Sequence, residues 1–183
     1  MNREATISTD RVFSGRLINL RIDTVSLPNG HVARREIVEH PGAVALLPLD
    51  ADGKLVLVRQ YRKPAERLLL ELPAGTLHRG EDPKLAAQRE LQEEIGYSAG
   101  KLERLTGFYT CPGFCTEYMH VFLATDLRPS RLPADEDESL EPLHLSLDEA
   151  LELMHKGEIC DAKTIAGLLV FQLERARDSR EGQ

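Results

Sequence analysis

With 183 residues, 42% of them apolar and 29% charged, the chain has material for one globular domain with a sizeable core, plus a terminal extension. Its formal net charge of −7 argues against general nucleic-acid binding, so an anionic substrate would have to be met by metal and local arginines. The opening Met-Asn-Arg-Glu-Ala-Thr has no apolar core of signal-peptide type and no run approaches the ~18 apolar residues of a membrane span, so no membrane partner and a cytoplasmic location are expected.

From about Arg11 to His40 the chain alternates as a strand pair. Leu17, Leu20, Ile22 and Val25 lead to a turn at Leu27-Pro28-Asn29-Gly30, and Val32 to Val38 return. After Pro41-Gly42, Ala43 to Leu47 reads as an apolar strand, Asp50 to Gly53 as a turn, and Lys54 to Gln60 as the next strand. Leu68 to Leu72 is a short strand that delivers the chain to Pro73-Ala74-Gly75. The spacing then predicts a helix: Asp82 suits the N-cap, Pro83 the first helical position, Leu85, Ala86, Leu91 and Ile95 the apolar spacing, and Gly96 a left-handed stop.

Beyond it, Leu102 to Phe108 and Tyr118 to Asp126 read as strands around a loop holding Pro112 and Gly113. The polar stretch from Pro129 to Glu141 precedes a strand at Leu143 to Leu145. Ser146 and Glu149 form a capping-box pattern opening a helix that Gly157 stops. Asp161 caps a last helix, whose Ile165, Leu168, Leu169, Phe171 and Leu173 should reach the core and whose tail should fray after Arg177. Strands, one helix, more strands, then helices suggest an α/β or α+β sandwich with helices covering a mixed sheet.

The residues that carry chemistry lie between Gly75 and Tyr97. Glu90 and Glu94 project together from one helix with Glu93 beside them, since residues three and four apart are surface neighbours. A glutamate-rich helix alone is usually a solvated face. Here the loop from Pro73 to Glu81 ends at the helix start and can add carboxylate and backbone oxygens, the donors that hard divalent cations prefer. Arg89 should pair with these carboxylates. The three cysteines, Cys111, Cys115 and Cys160, lack zinc-ligand spacing and read as reduced thiols.

Gly75, Glu81, Arg89, Glu90, Glu93, Glu94 and Gly96 occupy every fixed position of the pattern G-x5-E-x7-R-E-U-x-E-E-x-G-U, where U is an apolar residue, and so this stretch resembles the Nudix box. The resemblance implies an α/β/α sandwich with a mixed central sheet over residues 41–183, preceded by an N-terminal β-hairpin module over residues 1–40. It implies hydrolysis of a nucleoside diphosphate linked to another group. It also implies Mg²⁺, with Mn²⁺ as a possible substitute, held by Glu81, Glu90, Glu94 and the Ala74 carbonyl. Glu93 completes or orients that shell, and cation binding would neutralise the pyrophosphate and lower the pKa of the attacking water.

Features outside the box make the chain similar to the ADP-ribose pyrophosphatase branch of that family. Cys111-Pro112-Gly113 with Glu117 resembles that branch's loop, although Cys111 stands where serine is usual. Val58-Arg59-Gln60-Tyr61-Arg62 is similar to the branch's Val-Arg-Gln-x-Arg, so Arg59 and Arg62 become candidates for pyrophosphate oxygens, with Glu71 facing Arg62 and Gly113 near the substrate. The segments around Gly15-Arg16 and Arg34-Arg35-Glu36 resemble the branch's N-terminal module. There the module pairs two subunits and residues such as Arg16, Arg34 and Glu36 line the partner's nucleoside pocket, which implies a homodimer.

By the same resemblance the acidic run Asp135-Glu136-Asp137-Glu138 is a loop that supplies a general base, Glu136 or Glu138. The activity expected is conversion of ADP-ribose to AMP and ribose 5-phosphate. The alternatives are another nucleoside diphosphate sugar, such as GDP-mannose, or a non-catalytic nucleotide-binding module, which would be expected to lose box carboxylates.

Overall fold

The computed structural model describes residues 3–133 and 140–181. Of these, residues 3–42 with 109–118 form one compact unit, and residues 43–108 with 119–133 and 140–181 form another.

The first unit holds an antiparallel sheet in the order β1 (Ala5–Ser14), β2 (Asn19–Ser26) and β3 (Val32–Glu39). The turn expected at Asn29-Gly30 joins β2 to β3, with Gly30 N donating to Leu27 O at 2.9 Å. The sequence pattern shows a strand pair only from Arg11, whereas the structure adds the whole of β1. Every residue of β1 is exposed, so no buried face imposes the period-two alternation that would reveal it. The loop at 109–118 is fastened within this unit, since Val38 N donates to Phe114 O and Thr116 N to Val38 O.

The second unit contains two sheets. One is mixed, in the order β7 (Ala74–Thr76), β4 (Ala43–Pro48), β9 (Tyr118–Pro129), β8 (Tyr97–Tyr109), with β4 antiparallel to β7 and parallel to β9. The other is antiparallel, in the order β10 (Leu140–Leu145), β5 (Leu55–Arg62), β6 (Arg67–Glu71). β4 is apolar along its length because both of its faces are covered. Ala43, Ala45 and Leu47 enter one cluster with Leu55, Leu57, Leu72, Val121, Leu168 and Phe171, while Val44 and Leu46 enter another with Val56, Val58, Ala86, Ala87, Leu91 and Ile95. Helices thus cover both sides, α1 (Pro83–Glu90) on one and α2 (Leu147–His155) with α3 (Ala162–Glu181) on the other. This is the expected mixed α+β sandwich. Each fully buried leucine contributes about 1.5–3 kcal/mol of transfer free energy.

The caps are where the spacing put them. Asp82 accepts from the backbone N of Lys84 and Leu85, and Ser146 and Glu149 make both bonds of a capping box. Two expectations are corrected. α3 continues to Glu181 rather than fraying after Arg177, since the last turns are rich in good helix formers. Leu169 and Leu173 are 40% and 61% exposed, off the buried stripe that Leu168 and Phe171 occupy. No helix among the described residues is long and apolar enough to cross a membrane.

Candidate active site

The acidic helix is not uniform. α1 ends at Glu90, and Leu91–Ile95 widen into one π-helical turn before Gly96 closes it at φ 74°. π turns are uncommon and concentrate at functional sites. Here the turn carries Glu93 and Glu94 immediately after Glu90. Glu90 and Glu94 are buried, at 7% and 5% exposure, which a merely solvated acidic face would not require.

Arg89 gathers the neighbouring carboxylates. Its Nη1 donates to Glu90 Oε1 at 2.7 Å and to Glu93 Oε2 at 2.8 Å, and its Nε and Nη2 donate to the two oxygens of Glu81 at 3.1 and 3.2 Å. Partial desolvation acts to lower the Arg89 pKa, but the bonds to Glu81 and the charge of Glu90 outweigh it and hold it well above its ordinary value. The bond from Arg89 is the main cause that keeps Glu81 below the usual glutamate range, aided by the His78 N–H, which donates to Glu81 at 2.8 Å. The expected pairing of Arg89 with box carboxylates is therefore what the structure contains.

Gly75 lies directly over Glu90. A Cβ built there would sit 1.9 Å from Glu90 Cδ, an impossible contact, so only glycine lets the strand that bears Ala74 run this close to the carboxylate. Ala74 N donates to Glu94 Oε2 at 3.1 Å, tying the same strand to the π turn. Ala74, Glu81, Glu90, Glu93 and Glu94 thus form one oxygen-rich neighbourhood, and its donor chemistry fits a hard divalent cation. Among the described residues no three acidic or histidine side chains stand together as a ready ligand set; Arg89 holds Glu81, Glu90 and Glu93 in its place.

Arg62 and Glu71 meet as the spacing suggested. Arg62 Nε and Nη2 donate to Glu71 Oε1 and Oε2 at 2.9 and 2.8 Å, a bidentate fork onto a carboxylate only 1% exposed. Burial raises the Glu71 pKa, but the Arg62 fork and Lys163 more than compensate and hold it below the ordinary value. Arg59 goes elsewhere, pairing with its cross-strand partner Glu141 at 3.1 Å on an exposed edge. Sequence reasoning missed Lys163, which donates to Glu71 and to Asp161. Its only sequence signal is a lysine two positions after a cap, and Glu71 is 92 residues away.

In the other unit, Arg34, Glu36 and Gly113 do come together. With Ile22, Arg35 and Phe114 they line an open pocket of about 450 Å³, within the size range of small-molecule sites. Arg16 is exposed on the turn after β1 and is not among the lining residues. Glu136 and Glu138, the candidate bases, lie outside the described residues.

Comparison with known proteins agrees with this geometry. The chain is 46% identical over 180 residues to the ADP-ribose pyrophosphatase of Bacillus subtilis (strain 168), covering 97% of each chain. It is also 46% identical over 175 residues to the methanol dehydrogenase activator of Bacillus methanolicus, covering 94% of this chain and 95% of the relative. A crystal structure of an ADP compounds hydrolase superposes with a TM-score of 0.86 at 26% identity, covering 97% of both chains. The NUDIX domain matches residues 38–168, a span that contains the whole acidic helix and both of its flanking sheets, and the chain is a member of that family.

Proposed function

We propose that this Nudix hydrolase cleaves the pyrophosphate of ADP-ribose, giving AMP and ribose 5-phosphate. The observation that carries the reading is the convergence of Glu81, Glu90 and Glu93 on Arg89 beside the Gly75 backbone, with Glu94 bonded to Ala74 N. The Ala74 carbonyl, Glu81, Glu90 and Glu94 would hold Mg²⁺, or Mn²⁺ in its place. Such a cation supplies charge neutralisation of the phosphate oxygens and a water of lowered pKa.

The remaining steps belong to the chain. Glu93 orients the attacking water through its carboxylate, and Arg89 keeps the acidic cluster compact until substrate and cation enter. Glu136 or Glu138 is the candidate to take the water's proton. Arg62, locked by Glu71, offers its remaining N–H groups to the pyrophosphate. The pocket of Arg34, Glu36, Gly113 and Phe114 suits the nucleoside, with the Phe114 ring available for stacking and Arg34 and Glu36 for polar edges. Arg16 and Arg59 remain peripheral candidates. The exposed β1 strand suits a homodimer built on the N-terminal sheet.

The test is side-by-side hydrolysis of ADP-ribose, GDP-mannose, ADP-glucose and NADH with Mg²⁺. ADP-ribose is expected to lead in kcat/KM by at least about tenfold, roughly 1.4 kcal/mol of transition-state discrimination. A lead for GDP-mannose would leave the metal-dependent reaction in place and refute the nucleoside assignment. No cleavage of any of the four, in protein that still binds ADP-ribose, would establish the non-catalytic alternative.

A further inference from the structure

The buried charge cluster around Glu71 is more elaborate than a single ion pair needs. Glu71 receives Arg62 on both oxygens and Lys163 on Oε2. Lys163 Nζ also donates to Asp161 Oδ2 at 3.1 Å, and the same Asp161 oxygen accepts from Thr164 N and Thr164 Oγ1 at 3.0 and 2.6 Å. Thr164 Oγ1 in turn accepts from Leu72 N at 2.8 Å. The first turn of α3 thereby grips the end of β6 twice, through the Glu71 side chain and the Leu72 backbone. Two residues later Ala74 N is bonded to Glu94.

Exposure divides the cluster into a hidden and an open part. Side-chain exposure is 1% for Glu71 and 10% for Lys163, but 37% for Arg62. Arg62 spends one N–H each of Nε and Nη2 on Glu71, which leaves its other three N–H donors for a further acceptor. With Arg62 alone, Glu71 would be held only by a long, partly exposed side chain. Lys163 gives the carboxylate a second cation rooted in a helix, so Glu71 keeps a fixed partner when Arg62 engages another anion.

We infer that Lys163 is a positioning residue for the hydrolysis proposed above: by fixing the buried Glu71 from the α3 side, it orients the Arg62 guanidinium toward the pyrophosphate of the substrate. The assignment rests on that reading of the site. It gives Lys163 no contact with substrate and no part in proton transfer. The charge of Glu94 reaches Arg62 as well and adds to the rise in its pKa, which is caused first by the Glu71 bond; the guanidinium therefore stands within electrostatic range of the box.

The experiment uses the full chain and compares Lys163→Met, Lys163→Gln and Lys163→Arg with the unchanged protein. Three quantities are read: kcat and KM for ADP-ribose at saturating Mg²⁺, the Mg²⁺ concentration giving half-maximal rate, and the calorimetric affinity of an α,β-methylene analogue of ADP-ribose that cannot be hydrolysed. Lys163→Met and Lys163→Gln are expected to raise KM and weaken analogue binding by roughly tenfold, with kcat within about threefold and the Mg²⁺ dependence unchanged; Lys163→Arg should restore most of the affinity. Unchanged KM and analogue affinity in a folded neutral variant would overturn the inference. So would a loss confined to kcat and thermal midpoint that arginine does not rescue. If the unchanged protein hydrolyses nothing, the analogue still separates the two ideas: loss of its binding in Lys163→Gln supports the positioning role while the hydrolytic reading falls, and no binding by any form overturns both.

Discussion

At the scale of single residues, the site depends on two positions where tolerance is small. Gly75 is one, because any side chain there must displace the Glu90 carboxylate. Glu90 is 7% exposed and already bonded to Arg89, so it has little room to yield. Gly75→Ala should fold but lose roughly 100-fold in kcat, the scale of an ångström-sized misplacement of catalytic groups, and should need more Mg²⁺ for half-maximal rate. A variant with wild-type kcat and Mg²⁺ dependence would show that the close approach is incidental.

Glu71 is the other. Its pKa is held below the ordinary value, so the stability it contributes is complete above the usual glutamate range, near pH 4.3, and disappears as pH falls through the lower, folded-state value. The groups facing it are Arg62 and Lys163, with Asp161 beyond Lys163. Glu71→Gln should therefore cost about 3–5 kcal/mol at neutral pH, as expected when one partner of a buried pair is removed. The gap between variant and wild type, measured by urea unfolding from pH 7 to pH 3, should narrow only at the acidic end. A gap that stays constant down to pH 3 would remove the charge of Glu71 from the account.

Among the elements, what could be read from sequence was what local chemistry dictates. Asp82 with Pro83, Ser146 with Glu149, and the Asn29-Gly30 turn act within a few residues, and each stands where its spacing placed it. Glu90, Glu93, Glu94 and Arg89 were legible for the same reason, since α1 and the turn that continues it bring them together, and Glu81 ends the loop that feeds the helix. β1 was not, because an exposed strand needs no apolar face. The π turn at Leu91–Ile95 left no local sign, as a widened turn is chosen by packing and not by residue type. The Arg62–Glu71–Lys163 cluster was half legible: Arg62 and Glu71 are close in sequence and on paired strands, whereas Lys163 arrives only when α3 is laid beside β6. Arg59 shows a contact that sequence did not reveal. A strand-end arginine fits a phosphate in sequence, but antiparallel register puts Glu141 opposite it.

Across the whole molecule, apolar burial is unevenly shared. Both core clusters lie in the unit that begins at Ala43, and in the other unit Val25 is the one buried apolar residue among those described, while Ile7, Val12, Phe13 and Val32 are each more than half exposed. A sheet with so little core of its own gains from a second copy. Sedimentation of the chain should give twice the 20.5 kDa monomer mass, and the double variant Val12→Asp, Phe13→Asp should sediment as monomer. A wild-type chain that sediments at the monomer mass would exclude the homodimer.

The parallel pairing of β4 with β9 joins Ala43 to Met119 and Pro48 to Ala124. On a ribosome adding about 5–20 residues per second, β4 leaves the polymerisation site about 4–15 s before its partner has been made. During that interval its six apolar residues have β5, β7 and α1 as early neighbours, and the sheet order places the still-missing β9 between β4 and β8. β4 is thus a segment that nascent-chain chaperones would meet with one edge open, and the closing of that edge has to wait for synthesis to pass the loop at 109–118.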